Sequence, residues 1–277
     1  MTGSKSAAMG LLKRFSPTRP NFFLDAFAKL AHTKSSALLR RGVRPLIFHD
    51  RDLADAIELA VRRILPKQLE GATCSLVNKK RTLEVETKID VRDLEDATQT
   101  LVRVAALGVL SWNLRNEIHE LYPIDDDGSL CKITFPDSPT VWLKVKRACR
   151  TVESLEKLPF IVREGMKYKA GEYGFDAAYR TLGSLQCLRT FNKRCINVFF
   201  PYADSVFSLS FSLAQNDAGF AHFQMEFEHE GTVGGYELTI DEIMRRFDGL
   251  FSEHLPDLIA RLNTVSKLQS LRQASDG

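Results

Sequence analysis

The chain has 277 residues, 44% of them hydrophobic, and a formal net charge of +3, enough apolar material for one large core or two modest ones. No run approaches the roughly 18 consecutive apolar residues of a membrane span, so a soluble chain is expected. The five cysteines (Cys74, Cys131, Cys149, Cys187, Cys195) form no C-x-x-C pair and have no histidine at zinc spacing, which excludes a structural zinc framework and points to free thiols in a reducing compartment.

Residues 1–49 carry nine Lys/Arg against Asp25 alone. Such a head fits an organelle transit peptide or an arm that meets an anionic partner. Residues 1–20 read as a flexible head, 273–277 as a frayed tail, and 21–272 as a single domain. Asn21 to His32 sets Phe23, Phe27, Leu30 and Ala31 on one helical face and is expected to dock. Asp50 or Asp52 can cap the next helix, in which Leu53, Ala56, Ile57, Ala60, Val61 and Ile64 recur at helical spacing until Pro66 ends it.

Arg81 to Lys88 alternates strictly. On a β-strand Leu83, Val85 and Thr87 point one way and Glu84, Glu86 and Lys88 the other. Same-face neighbours stand about 7 Å apart, and Lys88 cannot neutralise both carboxylates. Asp90 to Asp93 closes this strand and opens a helix to about Leu107. Val104 to Trp112 reads equally as a buried strand or as more helix.

Pro123 to Gly128 is a turn without the alternate spacing of an EF-hand loop. Lys132 to Phe135 and Thr140 to Arg147 read as a hairpin whose second arm sets Trp142, Lys144 and Lys146 opposite Val141, Leu143 and Val145. Leu158 to Arg163 is a strand, followed by Lys167 and Lys169, and Phe175 to Leu182 is a short helix or turn. Leu188 to Phe200 carries Arg189, Lys193 and Arg194. Ser205 to Gln215 alternates Phe207, Leu209, Phe211 and Leu213 with Ser208, Ser210 and Ser212. A turn at 216–219 leads into a second acidic strand, where Gln224, Glu226, Glu228 and Glu230 share a face. Ile240 to Phe247 and Phe251 to Val265 predict two amphipathic helical segments packed outside the strands.

Glutamate is disfavoured in strands, so five glutamates in two files need a reason, and inward-facing carboxylates on a metal supply one. Closing the strands into an antiparallel barrel gathers Glu84, Glu86, Glu226, Glu228 and Glu230 with Lys88, Lys144, Lys146, Arg163, Arg189, Lys193 and Arg194 in one lumen. Neither sign is buried alone cheaply. A triphosphate with Mg²⁺ or Mn²⁺ satisfies both.

E-x-E-x-K on the first strand, a glutamate file on the last and basic strands between resemble the triphosphate tunnel metalloenzymes. Within that superfamily the chain resembles the metal-dependent RNA 5′-triphosphatases of fungi, protists and some viruses, the mRNA capping enzyme β-subunit type. Those proteins place an amphipathic helix and a P-x-x-L segment before the first acidic strand, as Asp52–Leu65 and Pro66–Leu69 do here. The resemblance implies an α+β fold: a closed antiparallel eight-stranded β-barrel with helices packed outside. It implies a Mg²⁺ or Mn²⁺ ion held by Glu84 and Glu86 with two of Glu226, Glu228 and Glu230. Lys88, Lys144, Lys146 and Lys193 would contact phosphate, with Arg163, Arg189 and Arg194 beside them. It further implies conversion of 5′-triphosphate RNA to a 5′-diphosphate end ready for an RNA guanylyltransferase, in the nucleus or cytoplasm.

Two departures from that pattern are visible. The basic trio is partial in Arg189–Arg194, and Ser208, Ser210 and Ser212 stand where an Arg/Asp strand is expected. Three alternatives stay open on the sequence: an inorganic tripolyphosphatase or nucleotide triphosphatase of the same fold, a non-catalytic polyanion-binding or scaffold barrel, and an α+β protein with two solvated acidic strands.

Overall fold

Apolar and polar residues alternate along nearly every strand, and the computed structural model shows what each face meets. It describes residues 50–72, 83–125, 128–216 and 221–264. The basic head, the Asn21–His32 helix, Cys74 and the tail lie outside the described residues.

Eight strands close a barrel: β1 (Leu83–Asp90), β2 (Ser111–Asp125), β3 (Gly128–Phe135), β4 (Ser138–Glu153), β5 (Pro159–Lys169), β6 (Arg189–Tyr202), β7 (Ser205–Asn216) and β8 (Ala221–Thr232). Around the barrel the order is β1-β5-β4-β3-β2-β6-β7-β8, and β1 pairs with both β5 and β8. Every neighbouring pair is antiparallel. Closure leaves no free sheet edge.

Among the described residues four α-helices lie outside: α1 (Asp50–Ile64), α2 (Leu94–Ala106), α3 (Phe175–Leu182) and α4 (Ile240–His254). Asp93 caps α2 by accepting from the Asp96 amide at 2.8 Å, and Thr239 with Glu242 forms a capping box on α4. The undecided stretch after Val104 resolves as helix, then turn, then strand. The helix ends at Ala106 because Gly108 takes a φ of 98°, open only to a residue without a Cβ. Of the two expected C-terminal helical segments only the first is α-helical. Pro256 cannot continue the α-helix, and Pro256–Arg261 forms a short 3₁₀ helix instead.

The main hydrophobic core lies between the barrel's outer wall and its helices. Val85 and Ile89 of β1, Phe207, Leu209 and Phe211 of β7, and Met225 and Phe227 of β8 are buried against Ile57 and Val61 of α1, Leu101 of α2 and Phe247 and Phe251 of α4. The Phe247 ring centroid is 4.9 Å from those of both Phe160 and Phe207. Each such ring contributes about 1.5–3 kcal/mol of burial. A smaller cluster of Tyr122, Leu130, Leu143, Phe175 and Leu182 seats α3. With apolar faces turned outward to the helices, the polar faces have only the lumen.

Candidate active site in the barrel lumen

Register decides which polar residues face one another, because directly opposed residues in an antiparallel pair share a face. Glu84 opposes Arg163, Glu86 opposes Glu228, and Lys88 opposes Glu226. Lys146 opposes Gly165 and Lys144 opposes Lys167. The two acidic runs therefore turn inward and meet across the β1–β8 seam, which removes the reading of two solvated acidic faces.

The Arg163 guanidinium bridges the first two glutamates: Nε donates to Glu84 Oε2 at 2.6 Å and Nη2 to Glu86 Oε2 at 2.8 Å. Lys144 Nζ stands 2.6 Å from Glu84 Oε1. Lys88 Nζ lies 3.1 Å from Glu86 Oε1 and donates to Glu226 Oε1 at 2.6 Å. Glu84 rests over the bare backbone of Gly165, where an added Cβ would stand 2.8 Å from Glu84 Oε1.

The lumen's charges are not evenly matched. Burial would raise the Glu84 carboxyl, but Lys144 and then Arg163 hold it well below the usual carboxylate range. Burial likewise opposes ionisation of Glu86, and Arg163 and Lys88 overcome it. Glu228 is less well covered: burial, then Glu230 and Glu84, outweigh Lys144 and push its carboxyl up to about 8. Burial, then Arg163 and Lys144, pull the Lys146 ammonium down to about 7. A carboxyl that resists ionisation and an ammonium that readily gives up its proton thus share one lumen.

Two of the β7 serines hydrogen-bond to neighbouring side chains. The Ser208 hydroxyl donates to Glu230 Oε1 at 2.7 Å. Ser210 donates to Asn197 Oδ1 at 2.6 Å, and Asn197 Nδ2 donates to Asn113 Oδ1 at 2.9 Å.

The placement of the sequence-derived candidates divides as follows. Glu84, Glu86, Glu226, Glu228, Glu230, Lys88, Lys144, Lys146, Arg163 and Lys193 share the lumenal face, Lys193 opposing Glu117. Arg189 opposes Leu121 at the start of β6, in the lumenal register at one end. Arg194 is a correction. One residue from Lys193, it faces outward and pairs with Asp55 and Glu58 of α1, because strand alternation sends neighbours to opposite faces.

Sequence reading missed Arg115, Glu117 and His119 on β2. Glu117 lies 3.3 Å from the Arg115 guanidinium and 2.7 Å from His119 Nε2. His119 Nδ1 lies 3.4 Å from the Cys131 sulfur. The alternation Asn113, Arg115, Glu117, His119 against Trp112, Leu114, Ile118 carries the signal, and it was hidden by leaving the start of this strand undecided.

The donor chemistry fits a hard divalent cation, which takes carboxylate oxygens. Glu86 Oε1 is buried with the Lys88 ammonium 3.1 Å away but no hydrogen bond to it, and Glu228 is crowded by other carboxylates. Among the described residues no three His, Cys, Asp or Glu side chains already converge on one point, since Glu84, Glu86 and Glu226 are turned to Arg163, Lys144 and Lys88. Their side chains must therefore rotate to hold an ion.

No family model and no curated protein matches this chain. Solved structures do. A putative adenylyl cyclase from Hippeastrum, described as having a dominant triphosphatase activity, is similar at 10% identity and a TM-score of 0.44, over 70% of this chain and 96% of that one. The Mimivirus capping enzyme triphosphatase is similar at 8% identity and a TM-score of 0.42, over 74% and 98%. The S. pombe RNA triphosphatase, in complex with the Spt5 CTD, is similar at 12% identity and a TM-score of 0.34, over 80% and 97%. The closed eight-stranded antiparallel barrel with helices outside is the architecture expected from the sequence. What the lumen can do follows from its own side chains.

Proposed function

We propose that the lumen binds a triphosphate and hydrolyses its terminal anhydride, and that the substrate is the 5′-triphosphate end of an RNA, released as a 5′-diphosphate. The observation that carries this reading is the convergence of buried carboxylates and cations in one enclosed space: Glu84 and Glu86 on Arg163, Lys144 and Lys88, with Glu228 opposite Glu86 and Lys146 beside Lys144 on the same face. A polyanion suits the cations and a hard cation the carboxylates. The basic head and the helix before β1 favour RNA over a small triphosphate.

Glu84, Glu86, Glu226 and Glu228 would hold Mg²⁺ or Mn²⁺, which when bound supplies charge neutralisation on phosphoryl oxygens and a more acidic water. Lys88, Lys144, Lys146, Lys193 and Arg163 orient the phosphate chain in line with the attacking water and offset the charge that develops on the departing diphosphate. Glu230, fixed by the Ser208 hydroxyl, accepts a hydrogen bond from the water and aims it at the terminal phosphorus. A 5′-diphosphate RNA would then suit an RNA guanylyltransferase, which places the protein in the nucleus or in a cytoplasmic capping site.

The test compares phosphate release from triphosphate-ended RNA, ATP and tripolyphosphate with Mn²⁺. The RNA end should be cleaved fastest, and Glu84→Ala or Glu86→Ala should lower release at least a hundredfold in a folded protein. Tripolyphosphate winning by orders of magnitude would overturn the RNA assignment. The neutral Ser210–Asn197–Asn113 contacts, on the strand where an Arg/Asp pattern is expected, favour a second reading, a barrel that binds polyanions without turnover. Tight triphosphate binding with no release under any divalent metal would establish it.

A further inference from the structure

We propose that Trp142 is a stacking platform for the nucleobase that carries the triphosphate, so that the lumen selects a nucleoside 5′-triphosphate end over inorganic polyphosphate. This rests on the triphosphate reading above and names what lies beyond the phosphates.

Trp142, Lys144 and Lys146 form one file on the lumenal face of β4, with Leu143 on the other face in the α3 cluster. Same-face neighbours are spaced by about 7 Å, so the indole stands one step from Lys144 and two from Lys146. A base stacked on the indole leads its phosphate chain along the two lysines toward Glu84, which Lys144 contacts at 2.6 Å.

The indole is held for this. The Phe135 ring meets it edge-on at 4.7 Å between centroids, and Phe135 fixes its tilt. The Arg115 guanidinium carbon lies 5.7 Å from the ring centroid, and Lys167 Nζ lies over the ring at 3.4 Å. Lys167 is exposed and carries its ammonium on a flexible stem. A base arriving on that face displaces it, and the freed ammonium reaches the incoming phosphates, which bind it more strongly than a ring face does.

A second observation points to a ligand with an acceptor. The chain's other tryptophan, Trp112, satisfies its indole N–H by donating to the Pro66 carbonyl at 3.0 Å. The Trp142 Nε1 atom is buried without an acceptor. Native interiors seldom leave a buried donor so, and a ribose oxygen reaching the ring edge supplies what the protein does not.

The test uses guanosine 5′-(β,γ-imido)triphosphate and inorganic tripolyphosphate as probes, with binding measured by calorimetry and by tryptophan emission. The unmodified protein should bind the nucleotide at least tenfold more tightly, with quenched emission. Trp142→Ala should lose about tenfold in nucleotide affinity, the scale of one base–aromatic stack, and hold tripolyphosphate within twofold. Trp142→Phe should keep most of the nucleotide affinity and lose the quenching. Equal affinity of the unmodified protein for the two probes, or an equal loss of both in Trp142→Ala, would overturn the platform and leave the triphosphate reading standing. Failure of both probes to bind would overturn both. Should Trp142→Ala not fold, the Phe variant decides: quenching that survives in it refutes the proposal.

Discussion

The Lys88 ammonium donates to the Glu226 carboxylate at 2.6 Å, tying the first strand of the barrel to the last across 138 residues of sequence. The same ammonium is 3.1 Å from Glu86, and Lys88 and Glu86 are both buried. Removing it leaves two carboxylates facing each other with one cation fewer, a loss worth about 3–5 kcal/mol for a buried pair. Lys88→Met should therefore unfold at a clearly lower temperature. Added Mn²⁺ should recover more of the loss in the variant than it gains in the unmodified protein, because the freed carboxylates are its ligands. Thermal unfolding with and without Mn²⁺ measures this, and equal metal effects on both proteins would remove Glu86 and Glu226 from the ligand set.

Gly165 tests Glu84 without altering any charged group. Its backbone conformation is ordinary for a strand, so alanine is tolerated there by the main chain. An alanine Cβ, however, would stand 2.8 Å from Glu84 Oε1 and 3.0 Å from the carboxyl carbon. The carboxylate must move off Lys144 and Arg163. Gly165→Ala should reduce phosphate release at least tenfold and lower the denaturant midpoint as the carboxylate leaves its two cations, a loss that alanine's restriction of the unfolded chain offsets only in part. Unchanged release with Glu84 displaced would show that this carboxylate is not needed for turnover.

Much of the lumen was legible because period-two alternation fixes a face once a strand is granted. Glu84, Glu86 and Lys88, the β8 glutamates, and Lys144 with Lys146 all follow from it. Arg194 failed for the same reason. Basic residues counted as a group in 189–194 ignored parity, which sends Lys193 inward and Arg194 out to α1. Arg115, Glu117 and His119 stayed hidden because an apolar run beginning at Val104 serves a helix or a buried strand equally well. Only Gly108, with its left-handed φ, breaks that tie. The serines of β7 could be placed on a face, but no pattern along one strand shows that Ser208 fixes Glu230. That contact belongs to register between strands, which the sequence leaves unstated.

Arg194 separates support of the wall from work in the lumen. It joins β6 to Asp55 and Glu58 of α1 on the outer surface, where the Arg194 side chain retains 29% of its exposure. A pair so hydrated contributes about 1 kcal/mol or less. Arg194→Ala should lower stability by that amount in urea unfolding and leave triphosphate affinity and phosphate release within twofold. A tenfold loss of release with the barrel intact would mean that α1 controls the lumen's shape.

His119 gives the lumen a distinct acid sensitivity. Burial, reinforced by the nearby charges of Lys193 and Lys146, outweighs the Glu117 contact and lowers its imidazole from 6.5 to about 4. Between those values the unfolded chain takes up a proton that the folded chain refuses, so stability is complete above 6.5 and falls as pH drops. Each pH unit in that window costs at most about 1.4 kcal/mol from this group. Burial opposes the charge of Glu117 but Lys193 and His119 hold its carboxyl low, so its own contribution is lost only below its ordinary value of 4.5. The two groups are therefore separable. His119→Gln keeps a donor for Glu117 and cannot titrate. Its urea midpoint should fall less between pH 7.5 and pH 5 than that of the unmodified protein, by about one proton's linkage. Parallel pH dependence in the two proteins would show that His119 is charged in the folded barrel, with Glu117 and the Cys131 thiol arranged around an imidazolium.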